Sequence, residues 1–235
     1  MLDLLSNTTS CRTVSTRYYY SAHKHFENSL DVYQPADEDH RDPTLPIVLL
    51  TVGSGWMGHH WLIYRLTSWW NSGGPATVAS LGTTCVFIRH RGSFFKVPAW
   101  NIIGPYIATL FCILVAVTGW SIAAAITQLL AALWWVLDAT GQGSAEIDDM
   151  MNDVATAVAW IRSNTYIIEA KSTSNESRVR PMVFGGYSSG GHVATTLLNR
   201  REIWKQHDLP DPAGLFAGVL VISGVLAVRP CVVEH

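Results

Sequence analysis

The sequence is poor in charge: Asp, Glu, Lys and Arg make up 14% of its 235 residues, and the formal net charge is -2. It contains no basic stripe and no arginine-rich tract, although proteins that bind nucleic acids depend on such positive charge for affinity. We therefore expect no nucleic-acid partner. The low charge, together with ten tryptophans, instead indicates contact with lipid or another apolar phase.

The sequence also lacks the clustered cysteines and histidines of disulfide frameworks and zinc sites. Its four cysteines are Cys11, Cys85, Cys112 and Cys231. They are far apart, and there is neither a C-x-x-C pair nor a histidine pair with metal-ligand spacing. His59 and His60 are adjacent, so their side chains point in different directions, and we interpret them as structural or solvent-facing. We therefore expect no bound metal and no cofactor.

The N-terminus lacks the basic start and the long apolar core of a signal peptide. Residues 1–17 are polar and rich in serine and threonine, which predicts a disordered tail. The remaining residues, 18–235, are enough for one domain with a full hydrophobic core and too few for two such domains.

One stretch, Gly185–His192, combines glycines and serines between a strand pattern and a helix pattern. The apolar run Pro181–Phe184 precedes it and predicts a buried strand, whereas Val193–Leu198 follows it and predicts a helix. A strand, a sharp turn and a helix are the frame of a nucleophile elbow, in which a serine is held in a strained backbone conformation. The alternative is a strand-to-helix loop of small residues that performs no chemistry.

Ser188 is the candidate nucleophile in this turn. The neighbours two residues away on each side must be almost without side chains, and Gly186 and Gly190 meet that need. Ser189 is excluded as the nucleophile because Tyr187 would then stand where glycine is required. The turn places Ser188 at a helix N-terminus, where unpaired N–H groups favour a developing negative charge, so the N–H of Ser189 is a candidate oxyanion donor.

Strand and helix patterns alternate along the rest of the chain. Strands are predicted at Tyr18–Tyr20, Ser29–Tyr33, Ile47–Val52, Thr84–Ile88 and Phe216–Ile222. A short helix that Pro75 opens and Gly82 closes is predicted before the fourth of these strands, and Glu146–Ser163 has apolar residues at helical spacing. Strands that alternate with helices across short loops predict an α/β fold with a mostly parallel sheet flanked by helices.

An apolar insert, residues 97–138, interrupts this pattern. No charged side chain occurs between Lys96 and Asp138, a run of roughly forty residues and about twice the length that one bilayer crossing requires. Gly119 and its neighbours divide the insert into two apolar halves, which predicts a helical hairpin. We expect this insert to associate with a membrane. A helical cap that packs dry against the domain itself is the alternative.

The insert also predicts on which side of a membrane the domain lies. The strand before it and the helix after it belong to one sheet, so a single crossing would divide one core between two compartments. Arg89, Arg91 and Lys96 directly precede the insert, and basic residues favour the cytoplasmic side. We therefore expect a membrane-associated protein whose catalytic part faces the cytoplasm.

Several short motifs, in this order, resemble the α/β-hydrolase superfamily. They are Leu30–Pro35 (LDVYQP), Gly53–Trp56 (GSGW), Val86–Arg91 (VFIRHR), the helix Asp149–Arg162, the elbow Gly186–His192 and Ile222–Val225 (ISGV). The similar branch contains hormone-sensitive-lipase-like carboxylesterases, kynurenine formamidases and isoprenylcysteine methylesterases. The resemblance covers residues 29–96 and 146–228 and leaves the insert outside it.

The resemblance implies a serine hydrolase that acts on a lipophilic carboxylic ester. Ser188 would be the acylated nucleophile, and the backbone N–H groups of Ser54, Gly55 and Ser189 would form the oxyanion hole. The partner would be a small-molecule lipophilic ester.

The sequence departs from the family pattern in two places. Val52 stands where the oxyanion loop usually has histidine, and Ser54 replaces a glycine. In this fold the acid and the histidine follow the serine on later strands. Here the chain stops at His235, soon after one further strand, so the resemblance implies that C-terminal strands are missing.

No residue after the elbow fits the acid or the base of the family. Asp208 and Asp211 lie too early to be the usual acid, His192 belongs to the elbow pattern itself, and His235 has no ordinary path to the serine. The alternative to an active hydrolase is therefore a catalytically incomplete relative, either a fragment or a binding or scaffold protein.

Overall fold

A computed structural model describes residues 12–54, 56, 68–92, 112–127, 145–164 and 180–224 of the chain. Its strands are β1 (Thr13–Tyr19), β2 (Ser29–Pro35), β3 (Ile47–Thr51), β4 (Cys85–Ile88), β5 (Met182–Tyr187) and β6 (Phe216–Ile222). They form a 6-stranded sheet in the order β1-β2-β4-β3-β5-β6. The pairs formed by β4, β3, β5 and β6 are parallel, whereas β1 and β2 are antiparallel to their neighbours. The predicted mostly parallel α/β sheet is confirmed.

Helices cover both faces of this sheet. The helices are α1 (Ser68–Ser80), α2 (Ile147–Ser163), α3 (Ser189–Leu198), α4 (Arg201–Gln206) and α5 (Pro212–Leu215). On one face, buried side chains of β2, β3 and β4 pack with those of α2 and α3, and on the other they pack with Ala79 of α1. All residues of β3 and β4 are buried, because alternate side chains enter two different apolar layers.

The first strand begins earlier than predicted. Thr13–Tyr19 pairs with Ser29–Pro35 over seven residues, although residues 1–17 were expected to form a disordered tail and a strand was expected only at Tyr18–Tyr20. The prediction was wrong for residues 13–17. The segment is polar, but its threonines and valine are β-branched and suit an edge strand. The Arg17 guanidinium also joins it to β2, because it binds both carboxylate oxygens of Asp31.

The helix before β4 also begins earlier than predicted. Pro75 lies inside α1 and not at its start, although Gly82, with a φ of 97°, lies just beyond its end as expected. Proline lacks the N–H that an interior helix residue donates, which is why the sequence favoured a start at Pro75. Gly73 and Gly74 directly precede the proline, and a Cβ on either would meet nothing within 4 Å.

The predicted membrane association is contradicted by the structure. In the described part of the insert, residues 112–118 and 120–127 are helical, and Gly119 between them has a φ of 83°. Across the described ranges, no helix is both long enough and apolar enough to cross a bilayer. The predicted division at Gly119 is present, and the roughly 20 continuous helical residues that one crossing requires do not occur in the described helices on either side of it. Residues 97–111 and 128–138 of the insert lie outside the described residues.

A buried ionic cluster joins the antiparallel strands to the end of β4. Arg89 is fully buried and binds Asp31, and its guanidinium lies 4.7 Å from the centre of the Phe26 ring. Burial acts to raise the pKa of Asp31, but the hydrogen bonds from Arg17 and Arg89 outweigh it and lower that pKa. Two residues further along the chain, Arg91 joins the segment after β4 to α2, because it binds Asp153 through several hydrogen bonds.

Glu27 lies near this cluster, and its titration yields a prediction. Burial, and then the Asp153 carboxylate, raise the pKa of Glu27 from 4.5 to about 7, against a smaller opposing effect of Arg91. Between these two pKa values the unfolded chain loses a proton that the folded chain keeps, so stability falls as the pH rises through this window. We expect Glu27→Gln to be more stable than the wild type at about pH 8, by up to about 3 kcal/mol.

Urea unfolding at about pH 4 and about pH 8 measures this difference, because the two proteins should be equally stable at the lower pH. The exposed Glu202 is a suitable control: its pKa is lowered, so Glu202→Gln should gain no stability at the higher pH. A wild type that is as stable as Glu27→Gln at the higher pH would contradict the prediction.

Candidate active site

The site lies at the edge of the sheet where the parallel strands have their carboxyl ends. The register pairs Thr51 at the end of β3 with both Ile88 of β4 and Gly186 of β5. It also pairs Tyr187 of β5 with Ile222 of β6. The loops that follow these strands therefore leave the sheet at one edge, which is where open α/β sheets bind their ligands.

Ser188 occupies the sharp turn between β5 and α3. Its φ is 52° and its ψ is -130°, a conformation that non-glycine residues rarely adopt and that costs free energy. The Ser188 N–H donates to the carbonyl oxygen of Ile222 at 2.9 Å, which fixes the turn to the end of β6. The serine precedes the first residue of α3, Ser189, so the predicted strand, strained turn and helix are present.

The elbow glycines are required by close backbone contacts. A Cβ on Gly186 would lie 2.6 Å from the carbonyl carbon of Gly190 and 2.7 Å from the Thr51 oxygen. A Cβ on Gly190 would lie 2.5 Å from the Val52 oxygen and closer still to that of Thr51. Real Cβ atoms do not approach backbone atoms so closely. The helix therefore begins directly against the end of β3, as the predicted elbow requires.

The loop after β3 passes directly beside Ser188. A Cβ on Gly53 would lie 2.8 Å from the Cβ of Ser188 and nearer still to the Tyr187 carbonyl oxygen. Only glycine permits this approach at position 53. The loop on which the resemblance places oxyanion donors is thus in contact with the elbow.

Two hydrogen bonds fasten this loop to the residues on either side of Ser188. The Ser54 N–H donates to Ser189 Oγ at 2.8 Å, and the Tyr187 hydroxyl donates to the Gly53 carbonyl oxygen at 3.1 Å. Of the residues predicted for the oxyanion hole, Ser54 and Ser189 are thus in direct contact beside Ser188. Gly55 lies outside the described residues.

A third hydrogen bond joins the end of the loop to α3. The indole N–H of Trp56 donates to Nδ1 of His192 at 3.3 Å, and the two rings are edge-on with centroids 5.7 Å apart. Because Nδ1 accepts this bond, the neutral imidazole carries its proton on Nε2. Burial lowers the pKa of His192, which favours this neutral form. Trp56 has a φ of 62°, so the loop turns sharply as it reaches the helix.

The other residues considered as acid or base have separate positions. Asp211 caps α5 by accepting from the Ala213 N–H at 3.0 Å, and its carboxylate lies 3.4 Å from the Arg201 guanidinium. These contacts give Asp211 a structural role. Asp208 has a φ of 53° in the turn after α4. His235 lies outside the described residues, as do His59 and His60.

Sequence reasoning missed the contributions of Tyr187 and Trp56. In the sequence, Tyr187 was used only to exclude Ser189 as the nucleophile, and Trp56 was only the last residue of the GSGW motif. Both side chains act across more than 130 residues of sequence, since Tyr187 contacts Gly53 and Trp56 contacts His192. The one available signal was that each polar aromatic residue directly adjoins a predicted site residue.

Solved structures that share this fold include two of one esterase. Both are Esterase B from Lactobacillus rhamnosis, one inhibited by a C6-C4 SN3 compound and the other by a C4-C4 SN3 tributyrin phosphonate. The chain superposes on them with TM-scores of 0.52 and 0.51 at 14% and 15% sequence identity. The match covers 90% of this chain and 49% of theirs, so the chain spans about half of their length.

At this level of identity, the similarity establishes the fold alone. No protein-family model matches the sequence, and no curated protein matches it significantly.

Proposed function

We propose that this chain, which has the α/β-hydrolase fold, hydrolyses carboxylic esters by acyl transfer through Ser188. One observation carries the proposal: Ser188 stands in a strained turn at the N-terminus of α3, and an N–H of the adjacent loop is turned toward that elbow. Strain that the surrounding fold maintains at one serine is typical of a functional site. A structural loop would need neither the strain nor the glycines around it.

The proposed reaction has two steps. The Ser188 hydroxyl oxygen attacks the ester carbonyl, the resulting tetrahedral intermediate expels the alcohol, and water then releases the acid from the acyl-enzyme. A general base accepts the hydroxyl proton and returns it to the leaving alcohol. We assign this proton transfer to no described residue. His192 is not assigned as the base, because its Nδ1 accepts from the Trp56 indole N–H and its Nε2 carries the proton.

The negative charge of the intermediate would be stabilised by backbone N–H groups. Ser189 opens α3, and the N–H groups of a first helical turn have no acceptor within the helix. The Ser54 N–H donates to Ser189 Oγ in the free protein, which holds it beside the elbow. We propose these two N–H groups, together with that of Gly55, as the oxyanion hole. The substrate oxygen would share or replace the contact to Ser189 Oγ.

A lipophilic substrate is supported by where the apolar insert joins the domain. The insert follows β4 at the edge of the sheet that carries Ser188. The chain before the insert and the chain after it are joined by a hydrogen bond, since the Ala145 N–H donates to the Gly92 carbonyl oxygen at 3.2 Å. Within it, Ile113, Val117, Trp120 and Ile122 expose more than half of their side chains. We propose that this exposed apolar surface receives the hydrocarbon chain of the substrate.

Hydrolysis of p-nitrophenyl esters by the full-length gene product tests the proposal. We expect release of p-nitrophenol from both butyrate and laurate esters, with the larger kcat/KM for laurate. Absence of release by folded protein would overturn the proposed function and support the catalytically incomplete relative. A larger kcat/KM for butyrate would overturn only the lipophilic substrate.

A further inference from the structure

The peptide group between Gly53 and Ser54 is held at both of its ends by the residues that flank Ser188. Its carbonyl oxygen accepts from the Tyr187 hydroxyl, and its N–H donates to Ser189 Oγ. Because a peptide group is planar and trans, its C=O and N–H point in opposite directions. A hydroxyl that fixes the carbonyl therefore also fixes the direction of the N–H.

We propose that Tyr187 is a positioning residue, whose hydroxyl keeps the Ser54 N–H turned toward the elbow as an oxyanion donor. Loops that follow strands can rotate a peptide group when neither of its ends is held. Here the Gly53 carbonyl oxygen accepts from the Tyr187 hydroxyl, so a rotation that carried the Ser54 N–H away from Ser189 would break this hydrogen bond. The catalytic consequence of this proposal rests on the proposed function, whereas the orientation of the peptide group is independent of it.

Tyr187 itself is fixed firmly enough for this role. It is the last residue of β5, pairs with Ile222 of β6, and its ring lies parallel to that of Phe87 with centroids 6.5 Å apart. The backbone of Gly53 lies against the Tyr187 carbonyl group and the Ser188 Cβ. The hydroxyl thus links a rigid strand end to the peptide that faces the nucleophile, and a donor must be held in this way to stabilise charge without reorganising.

Tyr187→Phe tests the proposal, because it removes the hydroxyl and keeps the ring on Phe87. For the full-length gene product we expect kcat for p-nitrophenyl laurate to fall about tenfold with KM unchanged, since a misdirected donor is lost only in the transition state. Inhibition by 1,1,1-trifluorododecan-2-one, which forms a tetrahedral adduct with the serine, should weaken by the same factor. Amide exchange at Ser54 should become faster.

Tyr20→Phe is the matched control. The Tyr20 hydroxyl is buried and, like that of Tyr187, donates to a distant backbone carbonyl, that of Arg89, at 2.7 Å. Its loss should lower the melting temperature and leave kcat, inhibitor affinity and Ser54 exchange unchanged. If Tyr187→Phe behaved like this control, the proposal would be overturned.

The experiments distinguish a failure of the proposed ester hydrolysis from a failure of the positioning role of Tyr187. An inactive wild type would refute ester hydrolysis, and exchange at Ser54 would still decide whether Tyr187 orients the peptide. Faster exchange in Tyr187→Phe than in Tyr20→Phe supports the positioning, whereas equal exchange in the two variants overturns it.

Discussion

Ser188→Ala is expected to lower ester hydrolysis by the full-length gene product by at least about a thousandfold, because no other group takes over a lost nucleophile. The fold should tolerate the change: alanine and serine pay a similar penalty at a φ of 52°, and the Ser188 N–H keeps its bond to Ile222. The loss should appear in kcat, and the melting temperature should remain close to that of the wild type.

Two further variants separate chemistry from structure. Ser188→Gly should be equally inactive but more stable, by about 1 kcal/mol, since glycine has no penalty at positive φ. Ser163→Ala is the control, because that serine is exposed at the end of α2 and its hydroxyl donates to the Ala159 carbonyl oxygen of the same helix. A Ser188→Ala protein that retained wild-type turnover would exclude the proposed mechanism.

Gly190→Ala is expected to cost about 4 kcal/mol of stability, because overpacking against backbone atoms cannot be relieved by a side-chain movement. The added Cβ would lie 2.5 Å from the Val52 oxygen and 2.6 Å from the Val52 carbonyl carbon. To make room, α3 must move away from the end of β3. Since Ser188 directly precedes α3, activity should fall together with stability.

Gly214→Ala provides the comparison for this substitution. Gly214 lies in α5, and a Cβ there would meet nothing within 4 Å. Alanine favours a helix over glycine by about 1 kcal/mol, so this variant should be as stable as the wild type or slightly more so. Chemical denaturation of both variants measures the difference. Equal midpoints for Gly190→Ala and the wild type would show that the elbow is not packed as described.

The parts of the fold that could be predicted are those that short patterns encode. β3, β4 and β6 are continuous apolar runs, and α2 has apolar residues at helical spacing, so each was found within a few residues of its observed ends. The elbow was predictable because strain at Ser188 restricts its neighbours to glycine. A local steric rule thus gave both the position of the turn and the candidate nucleophile.

The errors arose where a distant partner determines the structure. β1 is polar and exposed on its own, and it becomes a strand because β2 pairs with it along its whole length. Pro75 lies within α1 although proline has the lowest helix propensity of all residues. The hydrogen bonds from Tyr187 to Gly53 and from Ser54 to Ser189 join residues 134 and 135 positions apart, and no sequence pattern indicates them.

Labelling with a fluorophosphonate probe, followed by mass spectrometry of the digested protein, tests most directly whether Ser188 is an activated nucleophile. The probe forms a stable bond only with a serine whose hydroxyl is activated. We predict one adduct, on the peptide that contains Ser188, and no adduct in Ser188→Ala. An adduct on another residue, or none on folded wild-type protein, would contradict the proposed role of Ser188.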